Sequence, residues 1–330
     1  MRLVFFQVII GCIACFFSVV AAGSDCSLST ENAIAALGNG SANAISLSPD
    51  GLVLAVATTR GVELYSTQTW TMEHFLASDE AVILDVEFSP NGKWLAAGSS
   101  DHSVQVWSTS SNERLYEFDN PDSAVTAIAF SSNSVMLAAG ASSCSTYLWC
   151  LDSGKLLHIL EPSSVLSLLW GTEATCIAFS PDDSQIAIGY ADSSIRLWNA
   201  ATGDLIHEIY DIAGQPLNVA FTPDGSHVLA GSLEGSVRFW NTDSGELDRT
   251  LSYFSSGITV VAQDADGTHL AIGFEDGAIS LLDLRDGSQK WNVSGHSDRV
   301  TSLVFATSDN TGVRLKSCTT RSVKSERLRW

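Results

Sequence analysis

Short runs in which small or apolar residues alternate at period two recur along the chain, and each ends in a turn signal. Residues 124–130 (AVTAIAF) and 173–179 (EATCIAF) read as first strands; 94–99 (WLAAGS), 185–190 (QIAIGY) and 228–233 (VLAGSL) follow as second strands. A third strand, 103–107 (SVQVW), 194–198 (SIRLW) or 236–240 (SVRFW), comes after a tight turn. A fourth follows Asp152-Ser153-Gly154, Thr202-Gly203, Asp243-Ser244-Gly245 or Asp286-Gly287, where glycine supplies the positive φ of a hairpin bulge. Four strands in about 42 residues make one small sheet, apolar on both faces, which must stack on neighbours to be stable.

The turn after the first strand fixes the period. It recurs as Leu47-Ser48-Pro49-Asp50-Gly51, Phe88-Ser89-Pro90-Asn91-Gly92, Phe130-Ser131-Ser132-Asn133, Phe179-Ser180-Pro181-Asp182, Phe221-Thr222-Pro223-Asp224-Gly225, Gln263-Asp264-Ala265-Asp266-Gly267 and Phe305-Ala306-Thr307. The proline column falls at 49, 90, 132, 181, 223, 265 and 307, in steps of 41, 42, 49, 42, 42 and 42. Seven units are therefore expected, with one insertion near Pro162 to Gly171. Nineteen residues after the phenylalanine column stand Trp107, Trp149, Trp198 and Trp240, with Leu282 in the sixth unit and Tyr65 at eighteen in the first.

These residues resemble the WD-repeat β-propeller family, over essentially residues 30 to 330. The resemblance implies an all-β fold: a seven-bladed propeller of four-stranded antiparallel blades over 24–330, closed by an N-terminal strand at Glu31 to Asn39. The last blade is degenerate, since Gly312 to Trp330 is basic and poorly alternating and reads as an irregular insertion or an altered end. The family's Gly-His survives once, as Gly295-His296. Its Trp-Asp becomes Trp107-Ser108, Trp149-Cys150, Trp198-Asn199 and Trp240-Asn241, although Asp283 follows Leu282. Its turn acid maps to Asp101, Asp192, Glu234 and Asp276, and is lost at Thr59 and Ser143. The family's hydrogen-bonded tetrad is thus incomplete in most blades, while each acid can cap its own turn. Partner contacts in the family come from the residue before that acid, here Thr58, Ser100, Ser142, Ala191, Leu233 and Glu275. Trp94 and Trp170 are further candidate anchors, with packing as the competing role for each.

Charge and composition narrow the function. Acidic residues number 37 against 17 basic. Residues 24 to 311 hold 36 of the acids and 10 of the bases, a balance of -26, which disfavours nucleic acid and predicts a protein or peptide partner with a basic face. Residues 1–23 read as a targeting segment: Arg2, an apolar run from Leu3 to Val20, then Ala21-Ala22-Gly23 as a cleavage site. An uncleaved membrane anchor and a lipoprotein box ending at Cys12 are the alternatives, and all three place the protein outside the cytoplasm. Such a compartment permits disulfides. The remaining Cys26, Cys144, Cys150, Cys176 and Cys318 are odd in number and scattered; a Cys144–Cys150 bridge is one reading and buried thiols the other. Asn39-Gly40-Ser41 and Asn292-Val293-Ser294 are glycosylation sequons.

No catalytic motif emerges: a Gly-x-Ser-x-Gly elbow, a His-Glu-x-x-His helix and a phosphate loop are all missing. Asp264 to Glu275 only loosely matches a calcium loop, and no cofactor or metal is expected. His227 and His269 share a column that also holds Val53, Trp94 and Gln185, so they are either facing ligands or strand-edge residues. The expected function is a non-catalytic interaction scaffold. The alternative is a propeller enzyme or carbohydrate-binding protein with its site in the central channel.

Overall fold

The computed structural model describes residues 43–69, 71–78, 81–162, 173–210, 214–251, 254–264, 267–294, 299–308, 312–319 and 323–327. The expected targeting segment at 1–23, the expected closing strand at 31–39 and Trp170 lie outside them. Strands account for all the regular structure among the described residues. Sheet 1 holds β1 (Ala44–Leu47), β2 (Val53–Thr58), β3 (Gly61–Ser66) and β4 (Met72–Ala77); sheet 2 holds β5 (Ile83–Phe88), β6 (Trp94–Ser99), β7 (Val104–Ser108) and β8 (Arg114–Phe118). Sheet 3 comprises β9 (Val125–Phe130), β10 (Met136–Ala141), β11 (Thr146–Cys150) and β12 (Lys155–Leu160), and sheet 4 β13 (Ala174–Phe179), β14 (Gln185–Tyr190), β15 (Ser194–Asn199) and β16 (Leu205–Ile209). Sheet 5 is β17 (Pro216–Phe221), β18 (His227–Ser232), β19 (Val237–Asn241) and β20 (Leu247–Leu251), and sheet 6 β21 (Ile258–Gln263), β22 (His269–Phe274), β23 (Ala278–Asp283) and β24 (Gln289–Ser294). Sheet 7 has three strands, β25 (Val300–Ser308), β26 (Gly312–Thr319) and β27 (Val323–Arg327). Every sheet is an antiparallel meander in chain order, and the first strands of consecutive sheets pack against one another in series.

The turn chemistry explains the Ser-Pro-Asp-Gly signature. In each of the first five units the Ser or Thr hydroxyl accepts the N–H that opens the second strand, as Ser48 does from Val53 at 2.9 Å and Ser180 from Gln185 at 2.9 Å. That hydroxyl then donates to the Asp or Asn two residues on, such as Asp224 in the fifth unit at 2.6 Å. The next residue needs positive φ and is glycine in three of these five units, but Ser134 (φ 62°) and Asp183 (φ 61°) in the third and fourth. Both compensate with bonds to the preceding sheet. Ser134 accepts the Asn91 N–H at 3.0 Å, and Asp183 accepts those of Ser132 at 2.6 Å and Asn133 at 3.0 Å.

The core is divided among the seams. One apolar cluster joins sheets 2 and 3 through Val106, Phe118, Ile128 and Trp149; another joins sheets 3 and 4 through Leu148, Leu160, Ile186 and Trp198. Trp107 and Trp240 fill the equivalent seams toward sheets 1 and 4. The tryptophan column therefore reaches the preceding sheet, and in each unit a β-bulge between the third and fourth strands falls beside it. Across the seams, Gly98, Gly140, Gly189, Gly231 and Gly273 share one column, and a Cβ at Gly231 would lie 2.4 Å from Ile258 Cγ2. A side chain there would hold adjacent sheets apart.

Sheet 7 departs from the pattern. Thr307, in the proline column, lies within β25 instead of at a turn, because Ala306-Thr307-Ser308 offers neither proline nor glycine to stop the strand. The local Cys144–Cys150 bridge does not form. Cys144 and Cys176 are buried, Cys150 is half-buried, and none of the three is in a disulfide.

Candidate functional site

The turns between second and third strands emerge together on one face and carry the candidate partner-binding ring. In four of the six turns the backbone is fixed by a bond to the loop entering the first strand of the same sheet: Ser100 N–H to Val82 O, Ser142 to Ala124, Ala191 to Glu173 and Glu275 to Gly257, each at 2.9 Å. With the main chain committed, the side chains are what the ring offers. Ser100, Leu233 and Glu275 are exposed; Ser142 and Ala191 are half-buried. Thr58 is buried, its hydroxyl donating to Gly61 O at 2.8 Å, and presents nothing to solvent. Leu233 and Glu275 are adjacent, since a Cβ on Gly257 would meet both the Leu233 carbonyl and the Glu275 carboxylate at 2.8 Å.

The turn acids behave as local caps. Asp101 accepts the Ser103 N–H at 3.1 Å and the Ser103 hydroxyl at 2.7 Å, and Asp192 and Asp276 accept the N–H two residues on at 3.0 Å. Partial burial pushes the Asp101 carboxyl up, but the Ser103 and Ser99 hydroxyls and the Ser103 N–H hold it below its ordinary value. Asp101, Glu234, Glu275 and Asp276 are exposed, and Asp122 adds a further exposed carboxylate beside Ser143. The face is acidic, with Arg60 and His102 as its exposed cationic or titratable counterparts among the described turn residues.

Sheet 4 carries a cation inside its third strand, β15. The fully buried Arg196 bridges Asp192 at 2.9 Å and Glu208 at 2.6 Å, and its guanidinium lies 4.4 Å from the Tyr190 ring centre. Burial alone would weaken the proton on Arg196, and the two carboxylates more than restore it. In sequence the only trace was a cation inside an apolar third strand.

The inner strands carry a second cluster that the sequence reading missed. Seams there are stitched by a polar side chain donating to the next first strand: Asn43 to Ile83 O at 2.7 Å, Thr126 to Ala174 O at 2.8 Å and Thr175 to Pro216 O at 2.7 Å. Leu84 occupies that column in sheet 2 and cannot do so. Instead Asp85 accepts Ile128 N–H at 2.9 Å and Glu87 accepts Phe130 N–H at 2.8 Å. Sheet 5 has Leu217 in the column and uses Asn218, which accepts Val261 N–H at 3.4 Å. Burial pushes Asp85 up to about 7, against the lowering by the Ile128 and Val86 donors. Burial, with the neighbouring Asp85 charge, also raises Glu87 well above its ordinary value, against the lowering by the Phe130 donor. Asp85 and Glu87 are the only carboxylates on the described first strands.

The remaining candidates separate. Trp94 is half-buried and packs against the cluster between sheets 2 and 3. His227 lies 3.5 Å from Asp248 of its own sheet, and His269 bonds Asp264 of its own turn at 2.7 Å. Among the described residues no group of three or more His, Cys, Asp or Glu is placed to hold a metal ion. Compared with known families, residues 67–108, 112–150, 155–199 and 207–241 match the WD domain, G-beta repeat. Each matched segment starts at or near the fourth strand of one sheet and ends with the third of the next, so every sequence unit ties two sheets together. No curated protein matches the chain.

Proposed function

We propose, for a chain that belongs to the WD-repeat family, that it is an exported, non-catalytic scaffold whose acidic turn face docks a protein or peptide with a basic face. WD repeats generally serve protein interaction. The observation carrying the finer reading is the ring itself: backbone bonds fix the turns, while Glu234, Glu275, Asp276 and Asp101 stand exposed around them. Fixed carboxylates of one sign steer a cationic partner and lose their effect as salt screens them. Export rests on residues 1–23, and the overall charge of -20 favours a basic partner. An enzyme with a channel site would need free acid or base groups on the first strands. Asp85 and Glu87 are instead occupied by backbone donors, which supports the scaffold.

The test is affinity capture from the native source with the wild type and with Glu234→Lys/Glu275→Lys/Asp276→Lys. The proposal expects a basic protein captured by the wild type, released as salt rises, and lost from the triple variant. Capture that the variant retains in full, or that salt does not weaken, would refute the docking face. Recovery of the native protein from the cytoplasm alone would refute export.

A further inference from the structure

On the face opposite the ring, two kinds of side chain close the gap between neighbouring sheets. The residue opening the second strand fills each of the first three seams from within: Val53, Trp94 and Met136 pack against the apolar clusters there. At the surface Ser134 and Asp183, the positive-φ residues of their turns, bond the turn of the preceding sheet. Between sheets 4 and 5 both devices are lost. Gln185 stands in the apolar column and Gly225 at the bridging position, and a cavity of about 490 Å³ opens between the two turns and the Thr242-Asp243 corner.

The hydroxyls lining this cavity are already spent as donors: Ser180 and Ser184 on Asp182 at 2.6 and 2.8 Å, Ser226 on Asp224 at 2.8 Å and Thr242 on Gly225 O at 2.9 Å. The walls therefore offer mainly acceptors. These are the carboxylates of Asp182, Asp224 and Asp243 and the Oε1 of Gln185, a buried atom with no hydrogen-bond partner among the described residues. The Ser180 hydroxyl holds the Asp182 carboxyl below its ordinary value, and the Thr222 hydroxyl holds Asp224 at about 2, so both are ionised at neutral pH. No lysine or arginine lines the cavity. Among the described residues no three acidic side chains converge to hold a metal ion, so a fitting ligand has its donors spread out.

We propose that this cavity binds a guanidinium group, free or on an arginine side chain, at a site separate from the docking ring. Its five N–H donors form a flat, charged fork that serves acceptors on three turns at once. The exposed Pro181 and Pro223 give the aliphatic stem an apolar surface to lie on.

NMR titration of the full chain with N-acetyl-arginine amide tests this. Saturable shifts are expected at the amides of residues 182–185, 224–226 and 242–243. Tighter binding of this probe than of L-arginine assigns a chain-borne arginine, and equal or tighter binding of L-arginine assigns a free compound. N-acetyl-citrulline amide, which lacks the charge, and N-acetyl-lysine amide, which lacks the fork, should bind about tenfold more weakly or less. Asp182→Asn and Asp224→Asn should each weaken binding by about tenfold. Both variants should fold, because Asn91 and Asn133 hold that turn position in sheets 2 and 3 with the same bonds. Gln185→Met, which restores the apolar residue of sheet 3, should abolish binding, and Glu234→Lys/Glu275→Lys/Asp276→Lys on the ring should leave it unchanged. Shifts that do not saturate, equal affinity for the citrulline or lysine amide, or binding that survives both Asp224→Asn and Gln185→Met would each overturn the proposal.

Discussion

Replacing Asp85 by Asn should remove a pH-dependent part of the stability. Asp85 is 2% exposed and among the described residues no cation faces it: β1, β2 and β9 bring only Ser, Thr and apolar side chains against β5, and Glu63 on β3 is acidic. Burial lifts its pKa from 3.8 to about 7, so the neutral acid is the form the fold favours. The contribution of this group is then fully present below 3.8, declines as the pH rises, and is exhausted above about 7. The whole gap corresponds to about 4 kcal/mol, of which about 2 kcal/mol falls between pH 5.5 and 8.5. Asn does not titrate, and the fold already uses one in this column at Asn218. It does surrender one acceptor, because Asp85 serves both Val86 and Ile128, at a cost of about 1–2 kcal/mol. Urea unfolding of both proteins from about pH 5.5 to 8.5 should therefore show the stability of Asp85→Asn rising relative to wild type by about 2 kcal/mol and levelling off above about pH 7. Parallel stability curves would refute the reasoning, since they would mean that the buried carboxylate ionises without penalty.

Other consequences follow from the same seams. Gly231→Ala should lower stability by about 1–3 kcal/mol, measured by urea unfolding, because its Cβ would approach Ile258 Cγ2 to 2.4 Å. Arg196→Leu should cost about 1.5–3 kcal/mol in thermal or chemical melts, since it removes the charged hydrogen bonds to the half-buried Asp192 and Glu208. His102→Gly should raise stability by about 1 kcal/mol: His102 has φ 74° in a turn column that is glycine at Gly235 and Gly277.

Much of this architecture was legible because each repeat poses the same physical problem. The proline column marked turns whose hydroxyl-to-amide bonds need Ser or Thr, and the tryptophan column marked the seams. What stayed hidden is what differs between units. Asp85 and Glu87 looked like two more acids in an acidic chain, until β9 supplied donors from the next sheet; only Leu84, which like Leu217 interrupts a column holding Asn43, Thr126, Thr175 and Thr259, hinted that this seam needed another stitch. Arg196 was similarly opaque, because Glu208 reaches it from a strand twelve residues on. At the ring, family correspondence put the candidates at the turns between second and third strands but did not give their exposure. Thr58 turns inward to Gly61 while Leu233 and Glu275 turn out, a difference set by local bonds rather than by column. Thr307 failed as a turn for want of proline and glycine.

Hydrogen–deuterium exchange of the free protein and of its complex with the captured partner tests most directly whether the acidic turns are the docking face. Slower exchange is predicted over residues 99–103, 190–194, 232–236 and 274–278 on binding, with the fourth strands unchanged. Protection confined to the opposite turns around Pro90, Pro181 and Pro223, or to β8 and β16, would contradict it.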